Sequence, residues 1–438
     1  MEVNDSQDKM PTSKVARATR FIGTGAKVGG NYIRHYVKKA FDPSTEKSEL
    51  DKANAEDIYK ALSELKGSAL KMAQMLAMDR SMLPTEYVQE FQKAQYKAPP
   101  LSGPLIVQTF QRTLGKSPYD LFDSFEEKAV NAASIGQVHR AVKNGKSLAV
   151  KIQYPGVADS VVSDLKLVKP FALRLMNVKE SEIKPYFDEI QSKLLEEADY
   201  RTEVKNSMFI AQQCRNLEGL HFPTYYPEWR SDRVIVMDWV EGTPLVEFLK
   251  SNSPQELRNR IGQALWDFYD YQMHQLRLLH ADPHPGNFFV TPENKLGVID
   301  FGCVKAVPED FYHRYFALLE DENFHSAEAM ALRLKEVEIL NDQSSEQEIA
   351  FFTRTFQLIL GYLKKPFESE TFDFGNDSYI QEIMQHGEQI GSSAEARKYN
   401  IARGSRHILY INRAYFGLFS ILNQLKAEVK TTNSYTKK

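Results

Sequence analysis

No uninterrupted apolar run in this sequence approaches the ~20 residues a helix needs to cross a bilayer. A spanning segment is therefore not expected, and any membrane contact should be peripheral. Cysteine is nearly missing: Cys214 and Cys303 are the only two in 438 residues. Their contexts are unrelated, with no CxxC or disulfide spacing. That excludes a disulfide scaffold and fits a reducing compartment. An excess of positive charge is lacking too, since 55 Lys and Arg face 58 Asp and Glu for a net charge of -3. Nucleic acid is not expected as the main partner, because phosphate neutralisation needs a basic face. The opening residues MEVNDSQDKMPTSK have no apolar h-region, so neither a secretory leader nor a typical transit peptide is expected. The expected location is cytoplasmic, with peripheral membrane contact at most. Internal repeats and low-complexity segments are absent.

What is present is ordinary for a globular chain: 42% hydrophobic and 26% charged residues. The length suits two lobes with an extension. Residues 12–40 carry Lys and Arg but no Asp or Glu, interleaved with Phe21, Ile22, Tyr32, Ile33, Tyr36 and Val37. They read either as a solvated helix pair or as an interfacial helix drawn to anionic lipid. Gly23, Gly25, Gly29 and Gly30 weaken a continuous helix there. DIYKALSELKGSALKMAQMLAM repeats apolar residues at helical spacing, and DRSMLPTEY ends that helix. From about residue 118 two β-type runs, 137–143 and 147–153, are joined by Asn144-Gly145, a strong hairpin signal. Residues 158–216 return to helical periodicity. RVIVMDWVEGTPL (233–245) reads as a buried strand. Beyond 254 the chain is mostly helical, with short strands near 288–290 and 296–299.

The candidate chemistry lies in three stretches. LAVKIQ places Lys151 on a strand, as in the V-A-I-K pattern whose lysine points at nucleotide phosphates. The small-residue stretch NAASIGQV precedes it, where Ala132, Ala133 and Ser134 stand in place of a glycine-rich phosphate loop. GVIDFGCV ends an apolar strand in Asp300-Phe301-Gly302, which suits Asp300 to chelate magnesium. HADPHPGN then sets Asp282 and Asn287 in the D-x-x-x-x-N spacing of a kinase catalytic loop. In that reading Asp282 orients a nucleophile or takes its proton, and Asn287 holds a second magnesium. His280 would be a structural prop, and His284 would stand where many kinases place a phosphate-contacting lysine. The competing reading makes His280, Asp282 and His284 ligands of a zinc ion. It lacks a fourth ligand and leaves Lys151, the hairpin and the DFG tripeptide as coincidences.

Five stretches, LKGSALKMAQML, NAASIGQVHRA, LAVKIQYPGV, EEADYRTEVKN and LLHADPHPGNFFV…VIDFG, together with INRAYFGLFSILNQL, resemble the UbiB/AarF family of atypical kinases. The resemblance implies an α+β, two-lobed protein-kinase-like fold. It has a small β-containing N-lobe with inserted helices, a large helical C-lobe and a helical N-terminal extension. The expected organisation is a tail and basic segment (1–45), the extension (46–117), the N-lobe (118–240) and the C-lobe (241–438). It implies that Glu203 pairs with Lys151, that Glu197 and Asp199 form an E-x-D motif, and that Lys71 and Gln74 form a K-x-G-Q motif whose helix covers the active site. Two departures stand out: Ala73 replaces the motif glycine, and Asn131 replaces the first of three loop alanines.

The resulting expectation is an ATP- and Mg2+-dependent kinase or ATPase supporting isoprenoid-quinone biosynthesis or lipid handling. Asp238–Val240 would offer backbone hydrogen bonds to adenine, with Met237 behind. A quinone precursor or other lipid, and an anionic membrane, are the expected partners. The rival class is a nucleotide-gated, lipid-binding scaffold without turnover. A conventional protein kinase is disfavoured, because CVKAVPEDFYHRYF contains no A-P-E segment after the DFG.

Overall fold

The hairpin predicted at Asn144-Gly145 forms as strands β3 (Gly136–Lys143) and β4 (Lys146–Gln153), and both turn residues take positive φ, 51° and 73°. The computed structural model describes residues 14–41, 47–65, 67–78, 85–92, 100–132, 135–176, 180–399 and 404–431. It divides into two units: Met1–Lys205 with Thr224–Trp239, and Asn206–Pro223 with Val240–Lys438.

In the first unit β3 and β4 are joined by β1 (Ser124–Phe125), β2 (Asn131–Ala132) and β6 (Val234–Asp238), in the order β1-β3-β4-β6 with β2 also on β3. Lys151 of β4 stands opposite Val138 on one side and Ile235 on the other. One face of the sheet buries Val150, Ile152, Val234 and Val236, in a core shared with Phe110 of α5 (Gly103–Leu114). The one-turn helix α6 (Pro118–Leu121) precedes β1.

The rest of the unit is helical: α1 (Lys14–Phe41), α2 (Lys47–Leu65), α3 (Gly67–Met78), α4 (Thr85–Gln92), α7 (Val157–Met176), α8 (Glu180–Glu197) and the first residues of α9 (Tyr200–Gln213), which belongs to the second unit from Asn206 onward. A second core joins Leu62, Leu65, Ala69, Met72 and Ala73 of α2 and α3 to Val161, Leu165, Phe187 and Leu194 of α7 and α8. Each large side chain buried there contributes about 1.5–3 kcal/mol.

Two local expectations need correcting. The four glycines do not break the basic segment, because α1 is one helix of 28 residues. Packing against α2 and α7 outweighs their propensity cost of about 1 kcal/mol each. The segment from Asp57 to Met78 is conversely not one helix. It breaks before Gly67, whose φ of +57° is a left-handed conformation that a side chain disfavours.

Three cations of α1 are paired with carboxylates of neighbouring helices. Arg17 is buried and bidentate to Asp164 of α7, at 2.7 and 2.5 Å. Lys27 pairs with Asp57 and Lys38 with Glu49. Burial raises the Asp57 carboxyl, but Lys27 and Asn31 outweigh it and hold the pKa below the ordinary value. Removing one partner of a fully buried pair such as Arg17–Asp164 costs about 3–5 kcal/mol.

The second unit is mostly helical. A four-stranded sheet runs in the order β5 (Leu220–His221), β10 (Leu296–Val298), β9 (Phe288–Val290) and β7 (Thr243–Pro244). A two-stranded ladder pairs β8 (Leu278–His280) with β11 (Val304–Ala306). Helices α10 (Leu245–Phe248) and α11 (Gln255–Tyr271) lie between β7 and β8 in sequence, and α12 to α17 run between Glu309 and Tyr399. Helix α18 (Arg406–Leu425) packs through Ile411, Ala414, Leu418, Phe419 and Leu422 into a core with Trp266, Phe268 and Phe374.

Candidate active site

On β4, the Lys151 Nζ donates to Glu203 Oε1 at 2.7 Å, and both side chains are largely shielded. Glu203 lies in the first turn of α9. The ammonium also lies over the Tyr200 ring, 5.2 Å from its centroid, a cation–π contact. Helices α7 and α8 occupy the 52-residue separation between the two partners.

Asp199 immediately precedes α9 and caps it. Its carboxylate accepts from the Arg201 and Thr202 amides and from the Thr202 hydroxyl. Glu197, at the end of α8, meets Lys71 of α3 with Nζ to Oε2 at 3.0 Å. Both groups are about one-fifth exposed or less, at 21% and 15%. Gln74 is on α3, but its side chain lies outside the described residues, as do Ala133 and Ser134. Ala73 has its methyl fully buried in the helical core. Ala132 is at the end of β2, opposite Gln137.

The Gln and His of ASIGQVH prove to be braces. Gln137 bonds both the amide and the carbonyl of Leu101. His139 reaches the Glu126 carbonyl through Nδ1 at 2.8 Å and stacks on Phe125. Burial lowers its pKa against the opposing pull of that carbonyl, so it is neutral at pH 7.

Met237 is buried on β6. The Asp238 amide donates to the Thr224 carbonyl and the Trp239 amide to the Ser147 carbonyl, so these two donors are spent within the first unit. Burial opposes ionisation of the Asp238 carboxyl. Bonds from Tyr226 and Thr224, with the nearby Lys146, outweigh it and lower its pKa. Val240 lies in the second unit.

In the second unit the strand registers bring together residues of the HADPHPGN and DFG stretches. His280 on β8 opposes Val304, and Phe288 opposes Val298. The Asn287 carbonyl accepts from the Ile299 amide at 3.2 Å, placing it beside Asp300 in the ladder. His280 is buried, with Nε2 on the Asp300 carbonyl at 2.8 Å and Nδ1 on the Tyr269 hydroxyl at 3.2 Å. Both ring nitrogens are thus used inside the protein, which removes His280 from any zinc reading. Among the described residues no group of three or more His, Cys, Asp or Glu side chains is arranged to hold a metal ion.

Asp282 is held from two sides. Its Oδ2 accepts from Asn287 Nδ2 at 3.3 Å, and its Oδ1 accepts from an Arg413 guanidinium nitrogen at 2.8 Å. Asn287 Nδ2 also donates to the Asp282 carbonyl at 3.0 Å, so its amide oxygen faces away from that bond. The Asp300 Oδ1 accepts from the Gly302 amide at 2.8 Å. Phe301 is fully buried against Phe222, Phe268 and His280, which anchors the tripeptide. His284 caps the short turn Pro285–Asn287, its Nδ1 accepting from the Gly286 amide at 3.0 Å. A nitrogen that accepts carries no proton, so this ring is the neutral, Nε2-protonated form.

Two residues that sequence reasoning passed over stand on one face of α18. Arg413 binds Asp282, and Gly417, one turn later, lies against Pro283. A Cβ on Gly417 would meet Pro283 Cγ at 2.2 Å and its carbonyl oxygen at 3.4 Å. The signal was present in INRAYFGLF as an Arg and a Gly at i, i+4 on an otherwise apolar helix. Nothing in that spacing names the loop they serve.

Comparison with known proteins gives the family and the fold. Residues 93–331 match the ABC1 atypical kinase-like domain. The chain is 29% identical to the atypical kinase COQ8B, mitochondrial, of Danio rerio over 98% of its own length and 68% of the relative's. It is 26% identical to the atypical kinase COQ8, mitochondrial, of Saccharomyces cerevisiae over 96% and 83%. It is 29% identical to the probable serine/threonine-protein kinase abkA of Dictyostelium discoideum over 71% of its length, spanning only 59% of that protein. Among solved structures it resembles the Rv3197–erythromycin complex from Mycobacterium tuberculosis, with TM-score 0.58 and 27% identity over 87% of this chain and 95% of that one. With its kinase-like α+β fold, the chain belongs to the ABC1, or UbiB/AarF, family of atypical kinases.

Proposed function

We propose that this chain binds ATP with magnesium and transfers or hydrolyses its terminal phosphoryl group, in support of isoprenoid-quinone biosynthesis or lipid handling. The observation that carries the reading is the shielded Lys151–Glu203 pair. A lysine held in this way orients the α and β phosphates, and its pairing to a helix is the arrangement of a catalytically competent kinase. Asn287 and Asp300 offer hard oxygen donors, an amide oxygen turned from Asp282 and a carboxylate, and these suit magnesium. When bound, the ion neutralises charge on the phosphates. Asp282 orients the attacking hydroxyl or water, and Arg413 fixes which of its oxygens does so. Asp238 and Val240 supply the main-chain contacts to adenine, with Met237 behind, and Ala132, Ala133 and Ser134 cover the phosphates. Glu197 and Asp199 complete the nucleotide environment, with Lys71 and Gln74 contributed by α3.

Isothermal titration of ATP with and without magnesium tests this. Asp300→Asn should abolish the magnesium-dependent part of binding; wild-type binding by the variant would refute the assignment.

One observation favours the non-catalytic scaffold instead. The Asp282 carboxylate is already engaged by Arg413 and Asn287, and His284 is a neutral cap rather than a cation. Phosphate release measured with and without anionic liposomes separates the two, and release under neither condition supports the scaffold.

Membrane contact is part of the same proposal. No helix among the described residues is long and apolar enough to cross a membrane. On α1, Val15, Ile22 and Ile33 are 75%, 67% and 67% exposed, and spacings of 7 and 11 residues place them on one face. Replacing all three with Ser should weaken flotation with anionic vesicles. Deleting residues 1–47 is a poorer test, because it strands Asp164 without Arg17.

A further inference from the structure

We infer that Arg17 is a positioning residue for Lys71, acting through a buried polar clamp on the first turn of α3. The inference rests on the proposed role of Lys71 at the nucleotide.

The clamp has four arms. Arg17 of α1 forks onto both carboxylate oxygens of Asp164 in α7, and its Nη1 donates to the Leu65 carbonyl at 2.8 Å, the last residue of α2. Asp164 Oδ2 also accepts from the Ser68 hydroxyl, the second residue of α3. Ser68 Oγ in turn lies 2.9 Å from Ser160 Oγ on α7. Arg17, Ser68, Ser160 and Asp164 are all buried. One guanidinium thus ties the end of α2, the start of α3 and the middle of α7 across the break at Gly67.

Ser68 and Lys71 are three residues apart on the same side of α3. A helix turn is stiff, so a shift at Ser68 carries to Lys71. The other anchors of α3 nearby are Ala69, Met72 and Ala73, fully buried apolar side chains. Apolar packing is non-directional and tolerates a slide or a small rotation. A bidentate carboxylate fork does not, because it sets direction as well as distance. A buried pair adds little net stability over an apolar pair of similar volume. Its contribution here is the register of α3, and hence the 3.0 Å contact between Lys71 and Glu197.

The test uses the double variant R17M/D164L, which removes the fork without leaving a lone buried charge. Full-length protein is treated with limiting N-hydroxysuccinimidyl acetate, and acetylation is followed residue by residue by mass spectrometry. Lys71 should react about fivefold faster than in wild type, the scale set by losing one buried hydrogen bond. Lys151, held by Glu203 in the same unit, should be unchanged, and so should the thermal midpoint within a few degrees. A purely structural role would move Lys151 and the midpoint together, or neither lysine. An unchanged Lys71 rate in the folded double variant overturns the inference. Should that variant fail to fold, S68A removes only the α3 arm and is read by the same ratio of Lys71 to Lys151. ATP affinity of the same proteins separates the two readings. A faster Lys71 with unaltered affinity and turnover upholds the clamp and refutes the role of Lys71 at the nucleotide.

Discussion

The two units assemble their chemical groups in different ways. In the second unit, His280, Asp282, His284, Asn287 and Asp300 fall within 21 residues of sequence, and short strands and turns set them. In the first unit, Lys151 and Glu203 are 52 residues apart, and Lys71 reaches Glu197 from a different helical layer. Local geometry suffices where a tight ladder and a Pro-Gly turn constrain the backbone. Where the partners sit on separate helices, only packing brings them together. The contrast has one exception. The local loop of the second unit is braced by α18, more than 120 residues away, through Arg413 and Gly417.

The strongest way to sharpen this contrast is to compare one residue from each unit. Asp282→Asn should cut phosphate release about 10³-fold while leaving ATP affinity within a few-fold, since it acts on the nucleophile. Lys151→Met should chiefly weaken ATP affinity, measured by titration. Equal loss of affinity in both variants would break the assignment of separate tasks.

Next in size is Arg413→Leu. If the loop were self-sufficient, turnover would survive. We expect about a 10- to 100-fold fall in kcat with the ATP KM little changed, because Asp282 loses one of its two restraints.

Gly417→Ala probes the same brace sterically. The added methyl collides with Pro283, and overpacking of this kind costs about 1–3 kcal/mol. Urea unfolding should show that loss. A variant as stable as wild type would mean that α18 does not press on the loop.

The last effect, remote from the nucleotide residues, is a pH slope. His274 is buried between the Tyr312 and Tyr415 hydroxyls, and burial, helped by Arg277, lowers its pKa to about 3. The folded value lies below the unfolded one of about 6.5. Its stabilising contribution is therefore complete above pH ~6.5 and lost as pH falls from there toward 3. The slope is about 1.4 kcal/mol per pH unit inside that window. His274→Gln should flatten the wild-type slope between pH 4.5 and 6.5 in urea melts, and parallel curves would exclude His274 as its source.

Legibility followed the same division. The hairpin, the strands at 288–290 and 296–298, and the proximity of HADPHPGN to the DFG could be read from short patterns, because each depends on neighbours within a few residues or one ladder. The prop role of His280 was also readable. The glycines of α1 misled, because propensity was weighed without the surface that α1 covers. The helix break was missed because apolar periodicity continues straight through Lys66-Gly67, and the backbone reversal at Gly67 leaves no mark on it. His139 and Gln137 were noticed only as part of a signature, and their bracing of Leu101 and Glu126 depends on a segment outside the motif.

By itself the sequence determined the local conformers: a type of turn, a ladder, a loop with an Asp and an Asn five residues apart, and the family to which they belong. Such features are settled by sterics and hydrogen bonds over a few residues. The tertiary structure decided which charges meet. The sequence alone did not pair Arg17 with Asp164 or Arg413 with Asp282, and it left open whether His284 is charged, whereas in the fold a backbone amide donates to its Nδ1. An ion pair or a tautomer depends on distances of about 3 Å between remote segments. Only the packed chain sets those distances.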